Sequence, residues 1–157
     1  MFMTLYVIDQ FGFFAILLSL SRGGRPIRNV SDLAGLKQDR PLTAIALTVL
    51  ALSAVGIPPL SGFWGKFFVF GAAADAGYWM AGVAGLVASV VAAFYYLRII
   101  KVMWFDAPAS EVKTDKAPVG AQWIGWLAAA FTFPVILIAL TWLEPLTKAA
   151  AAGVGVG

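Results

Sequence analysis

Lys66 is the only ionisable side chain between Arg40 and Asp75, and it closely follows a group of helix-breaking residues, Gly56, Pro58, Pro59 and Gly62, in the stretch GIPPLSGFWGKF. A charged group in apolar surroundings is costly unless it faces water or a partner, which makes such a lysine a functional candidate. An amine taken out of water releases its proton more readily than one in water, so it can gain or lose that proton as nearby charges change. That is the chemistry of a proton relay. Asp9, inside the first apolar segment, is a candidate second relay group; the alternative is that it sits near the membrane interface.

The elements that must position these residues are apolar. Of the 157 residues 61% are hydrophobic and only 12% charged, with a mean hydropathy of +0.88. The apolar residues lie in blocks at about 2–20, 42–74, 78–101 and 121–143, long enough for bilayer spans of about 20 residues. The first block lacks a basic n-region and a small-residue cleavage site, so it reads as a span and not as a signal peptide. Tyr78, Trp79, Tyr95, Tyr96, Trp123 and Trp142 stand near the ends of the later blocks, as an interfacial aromatic belt requires. The pattern predicts an all-α membrane protein: a polytopic transmembrane helix bundle of about four spans, one of them a broken (discontinuous) helix, forming a single transmembrane domain over 1–157.

The broken helix is expected at 42–74. A straight helix of that length measures about 50 Å, against a hydrocarbon core of about 30 Å. Pro58 and Pro59 lack amide hydrogens and clash with the preceding turn, while Gly56 and Gly62 add backbone freedom on either side. Two half-helices, about 42–55 and 61–74, broken near 56–60, satisfy both constraints. Unwound backbone at membrane depth is tolerated where it is buried in protein or lines a wet cavity, and discontinuous helices of this kind form ion or substrate sites in transporters. The competing reading is a proline kink with no transport role. Lys66 lies about 13 Å along the helix from Asp75, too far for its side chain to reach the interface easily, and this favours the functional reading.

Nine of the eleven Lys and Arg residues fall in or beside two loops. Arg22, Arg25, Arg28, Lys37 and Arg40 belong to 21–41; Lys113 and Lys116 belong to 102–120, with Arg98 and Lys101 just before it as interfacial anchors. The positive-inside rule assigns both loops to the cytoplasm, so the net charge of +3 reads as a topology signal and not as a nucleic-acid patch. Within the first loop, DLAGLKQ (32–38) is expected as a short interfacial helix with Ser31 as its N-cap. Asn29-Val30-Ser31 matches a glycosylation sequon and is read as chance. Ala81, Gly85, Ser89 and Ala93 form a small-residue stripe suited to close helix packing, Pro134 a structural kink, and Thr48 and Ser53 hydroxyls that bond either their own backbone or a water path. The ending AAAAGVGVG is low-complexity.

Cysteine and histidine are absent. Disulfides, Cys/His zinc sites, cysteine-ligated iron–sulfur clusters, histidine-ligated haem and Ser-His-Asp or Cys-His nucleophiles are thereby excluded on this chain. The candidate site is expected to hold no metal and no cofactor.

SDLAGLKQDRPLTA, GIPPLSGFWGKFFVF and AAFYYLRIIKVMWFD, in that order and spacing, resemble the antiporter-like subunits of bacterial proton-translocating NADH:quinone oxidoreductase (respiratory complex I), subunit N in particular. The GIPP and GKF elements are shared by the wider family; the flanking motifs point to subunit N. The resemblance covers essentially the whole chain and implies the C-terminal portion of a bundle of about fourteen helices, from the eleventh helix onward, with two inverted repeats that each contain a broken helix. It implies that Lys66 is the lysine of the second broken helix, at the outward half of a proton path. The glutamate and lysines that the family carries on earlier helices have no counterpart here. It further implies a translocase subunit in the bacterial cell inner membrane, multi-pass, without a redox site of its own. The partners would be the other membrane-arm subunits and the lipid bilayer, with NADH, flavin, iron–sulfur clusters and quinone on partner subunits. Two other readings stay open: a subunit of a multisubunit cation/proton antiporter or membrane-bound hydrogenase, and a structural membrane scaffold. The charge pattern makes one direct prediction. In this cysteine-free chain, Arg28→Cys and Lys113→Cys should each react with a membrane-impermeant thiol reagent only from the cytoplasmic side; labelling of either from outside intact cells would overturn the orientation.

Overall fold

The computed structural model describes residues 2–108, 113–115 and 118–132. Helix α1 (Phe2–Ser19) leads into a hairpin of two short antiparallel strands, β1 (Ser21–Arg22) and β2 (Arg25–Pro26). A 3-10 turn (Val30–Leu33) and the short α2 (Leu36–Asp39) follow, then α3 (Pro41–Val55), α4 (Ser61–Asp75), α5 (Trp79–Phe105) and α6 (Val119–Thr132). Pro134, the remainder of the fourth apolar block, Lys116 and the Ala/Gly tail lie outside the described residues.

Helix α3 lies at the centre. Proline at its first position is preorganised for helical φ and has no amide hydrogen to leave unpaired, and the Ala/Leu-rich run behind it has high helix propensity. It packs against α1, α4, α5 and α6, so Ala44, Leu47, Leu50 and Ala51 are fully buried. Its only polar residues, Thr43, Thr48 and Ser53, carry small hydroxyls, as suits a helix with neighbours on several sides. Helix α1 meets α6 through two glycines: a Cβ on Gly12 would overlap that of Ala128, and one on Gly125 would overlap Ile16. Where α4 meets α5, a Cβ on Gly85 would come within 2.8 Å of the Phe70 ring, so this member of the small-residue stripe sits at a helix contact.

Helix α5, at 27 residues, is the one described helix that is by itself long and apolar enough to cross a membrane. Leu86, Val87, Val90, Val91 and Phe94 on it are exposed. An apolar surface of this extent calls for a lipid or protein neighbour. The helix runs a turn beyond the expected end at Lys101, because no breaker intervenes before Asp106 and Pro108, and Val102 and Met103 are buried by packing of this end on the 3-10 turn and α2. Lys101 is exposed and pairs with Asp106 at 2.5 Å.

The first basic loop is more structured than its sequence suggests. Gly23 and Gly24 both have positive φ, 59° and 74°, which the two central residues of a tight hairpin turn need and which glycine adopts without strain. The helix expected over 32–38 is interrupted. The 3-10 turn starts at Asn29 as its N-cap residue, not Ser31, and the Asp32 carboxylate accepts from the Asn29 amide at 2.9 Å. Gly35, at φ 78°, then separates this turn from α2. A Cβ at Gly35 would come within 2.8 Å of Pro108, so the interruption seats the second loop against the first.

Polar contacts join the two loops at one end of the bundle. The Thr114 amide and hydroxyl both donate to Asp39 at 3.0 Å. Arg22 donates to the Ala34 carbonyl and the Thr114 hydroxyl, and the Gly24 amide donates to Asp115 at 2.7 Å. That amide is the main influence holding the Asp115 carboxyl below its ordinary range. The helical packing yields a prediction. Gly12→Val should destabilise the protein by about 1–3 kcal/mol by forcing α1 from α6, whereas Gly71→Ala, where a Cβ meets nothing within 4 Å, should be neutral or stabilising. Thermal melting of the detergent-solubilised protein reads both, and equal melting points for Gly12→Val and the parent would contradict the close packing.

Candidate functional site

In an α-helix the carbonyl of residue i is paired with the amide of residue i+4. For Ala54 and Val55 those amides would belong to residues 58 and 59, which are both proline and have no hydrogen to give. Helix α3 accordingly ends at Val55, with Gly56 in the left-handed conformation at φ 94°. The Gly56 amide turns back to Leu52 and Ser53, and the Ile57 amide to Leu52. Ala54 and Val55 keep carbonyls that no backbone amide reaches in the ordinary way. Pro58 and Pro59, joined by a cis peptide bond, are exposed, and Leu60 returns to the interior at the start of α4.

Lys66 supplies the missing donors. From the second turn of α4 its Nζ donates to the Ala54 carbonyl and to the Val55 carbonyl, each at 2.9 Å. The ammonium also meets the negative end of the α3 dipole. Gly56 makes room for this reach: a Cβ there would stand 3.2 Å from Lys66 Cδ and 3.4 Å from Nζ. Gly62 serves by size and not by the backbone freedom expected of it. It sits inside the first turn of α4 without positive φ, and a Cβ on it would overlap the Ser53 carbonyl oxygen.

Asp9 comes to the same junction from α1. It is 2% exposed, and its partners Ser53, Ser61 and Thr132 are fully buried. Ser53 Oγ and Ser61 Oγ donate to Asp9 Oδ2 at 2.5 and 2.7 Å, and Thr132 Oγ1 donates to Oδ1 at 2.7 Å. The two serine oxygens are 2.9 Å apart, and Ser53 Oγ accepts from the Gly62 amide at 3.0 Å. That last bond satisfies one of the amides that the start of α4 leaves without an intrahelical partner.

A cavity of about 10 Å³ lies among Asp9, Ser53, Ser61, Gly62, Tyr6 and Lys66. Lys66 also borders a larger hollow of about 390 Å³ beside Gln10, Phe70, Ser89 and Tyr96, where the Tyr96 hydroxyl donates to Gln10. The lysine thus borders both a tight pocket and a wide open one. Among the described residues no cluster of side chains could hold a metal ion.

The residues singled out in the sequence, Lys66, Gly56, Pro58, Pro59, Gly62 and Asp9, all converge on this junction. Of the two hydroxyls, Ser53 belongs to it. Thr48 does not: it donates to the Ala44 carbonyl and accepts from Trp104. Sequence reasoning missed Ser61 and Thr132. Ser61 stands at a helix start, a place where serine usually serves as a cap, and nothing in the spacing ties position 132 to position 9.

Residues 1–92 match a family described as NADH:quinone oxidoreductase/Mrp antiporter, TM. NADH-quinone oxidoreductase subunit N of Caulobacter sp. (strain K31) is 56% identical over 159 residues, covering 99% of this chain and 32% of that protein. Subunit N of Paramagnetospirillum magneticum is 39% identical, over 96% of this chain and 30% of its own length. Among solved structures, a chain of respiratory complex I from Thermus thermophilus with bound aureothin superposes with a TM-score of 0.71 at 34% identity, over 92% of this chain and 32% of that one. The chain therefore spans about a third of the length of these relatives. Since the family match takes in more than half of its residues, the chain belongs to the NADH:quinone oxidoreductase/Mrp antiporter family of membrane proteins.

Proposed function

We propose that this chain forms part of a subunit N in the membrane arm of a proton-translocating NADH:quinone oxidoreductase, and that Lys66 relays protons within it. On this reading α3 and α4 are the two halves of one discontinuous span, since each measures about 22 Å and is too short to cross a core of about 30 Å alone. The observation that carries the reading is the double hydrogen bond from Lys66 Nζ to the carbonyls of Ala54 and Val55. It holds an ionisable amine at the interruption of the helix, bordering cavities by which a proton can arrive and leave.

The names of the relatives support the wider assignment. The redox chemistry, with its NADH, flavin, iron–sulfur clusters and quinone, belongs on this reading to partner subunits. The chain contributes a stretch of proton path in the bacterial inner membrane and needs the rest of its subunit to work. A cation/proton antiporter subunit would use the same lysine. The subunit N relatives, with up to 56% identity over nearly the whole chain, favour the quinone-linked complex.

The same hydrogen bonds favour one competing role, in which Lys66 simply caps the C-terminus of α3. Two substitutions separate these roles. Lys66→Arg keeps a cation and N–H donors but cannot release a proton at any accessible pH. Lys66→Ala removes charge and donors together. In the complete subunit, assembled in its complex, a relay predicts that both variants lower NADH-driven proton pumping and quinone-linked NADH oxidation. A cap predicts that arginine restores both activities while alanine loses subunit stability. Assembled Lys66→Ala complex that pumps at the parental rate would sink the relay.

A further inference from the structure

Lys66 as a relay leaves a second buried ionisable group, Asp9, without a part. Along α1, α3, α4 and α6 the only charged side chains are Asp9, Lys66 and Asp75, the last at the far end of α4. Asp9 and Lys66 border the same cavity, together with Tyr6. Its volume of about 10 Å³ is close to the space one water needs, and Asp9, Ser53, Ser61, Tyr6 and Lys66 stand around it.

The hydrogen-bond inventory around Asp9 defines a route. Each serine hydroxyl has one hydrogen, and when both are given to Asp9 Oδ2 none is left for the 2.9 Å contact between the serines. A proton on Oδ2 turns that oxygen into a donor. One serine must then accept from it and turn its own hydrogen elsewhere. Ser53 Oγ already accepts from the Gly62 amide, which leaves Ser61 as the better acceptor, and Ser61 lines the cavity shared with Lys66.

The geometry points to Asp9 as a second proton carrier, exchanging its proton with Lys66 through the Ser61 hydroxyl and a single water. This rests on the relay reading of Lys66. The proton leaves Asp9 Oδ2 for Ser61 Oγ, the hydrogen Ser61 held passes to the water, and a hydrogen of that water passes to the lone pair of the neutral Lys66 amine. The serine and the water end unchanged, the carboxyl becomes a carboxylate and the amine an ammonium. Lys66 keeps both carbonyl bonds throughout, because the neutral amine has two hydrogens for Ala54 and Val55 and the ammonium adds a third. Ser53 and Thr132 act as positioning residues that hold the carboxyl in register.

The test compares Asp9→Asn, Ser61→Ala and Lys66→Ala in the complete, assembled complex, reading assembly, NADH-driven proton pumping and its solvent deuterium isotope effect. Asparagine keeps the shape and an acceptor oxygen of aspartate but carries no transferable proton. The expected result is assembled Asp9→Asn and Ser61→Ala complexes that pump several-fold more slowly, with an enlarged isotope effect. A residue that only braces the helices would leave the isotope effect at its parental value, and that outcome would overturn the proposal. Asp9→Asn complex pumping at the parental rate beside a slow Lys66→Ala would remove the Asp9 proposal alone, whereas parental pumping by Lys66→Ala would remove the relay reading as well. Should Asp9→Asn fail to assemble, Ser61→Ala decides by the same measurements: slowed pumping supports the route, and parental pumping overturns it.

Discussion

Two backbone carbonyls without amide partners govern the centre of this protein. Pro58 and Pro59 cannot serve Ala54 and Val55, and a buried carbonyl left unpaired is expensive in any apolar surrounding. Water would meet that need at a soluble surface. Here the donor is the amine of Lys66, brought back from the next helix by a turn of only five residues. The geometry of that turn follows from this need: Gly56 takes a conformation favoured by glycine and stays small enough for the lysine stem to pass. The cation and the interruption are thus one feature. Removing the prolines would restore the amides that Lys66 replaces.

A second centre of order lies one layer deeper. Asp9 gathers hydroxyls from α3, α4 and α6 around a single carboxyl group, and the bond from Gly62 to Ser53 binds the start of α4 into the same cluster. Four helices therefore share one polar knot inside an apolar bundle. Such a network is stable only when each member is satisfied. The close approaches at Gly12, Gly62 and Gly125 bring the helices near enough for that. Small residues do this in membrane bundles because lipid gives no hydrophobic reason for helices to associate, so contact distance and polar bonds carry the packing.

At the loop end the physics is different. The hairpin, the 3-10 turn and α2 are held by charged and hydroxyl groups: Arg22, Asp39, Thr114 and Asp115. These contacts fasten the segment before α3 to the segment after α5, so the start of α3 and the end of α5 are held together. The tight glycine hairpin and the Gly35 interruption give this end a shape that a single interfacial helix would not have.

The sequence by itself determined the class of the protein and the chemistry available to it. Long apolar blocks, basic loops and the absence of cysteine and histidine leave a helical membrane protein whose reactive inventory is a lysine and an aspartate. The family was legible in the motifs around Lys66. The stop at Val55 was legible as well, because it follows from covalent structure: a proline lacks its hydrogen in every context. The partners of Lys66 and Asp9 were not legible, since they depend on which helices lie side by side. No spacing rule links Asp9 to Thr132 across 123 positions, nor does one direct the Lys66 amine to two carbonyls of another helix. The start of the first-loop turn moved to Asn29 for a similar reason, because the Asp32 side chain and the approach of Pro108 to Gly35 outweigh local propensity. Tertiary structure decided these points because side-chain hydrogen bonds act over about 3 Å, and only packing brings distant residues that close.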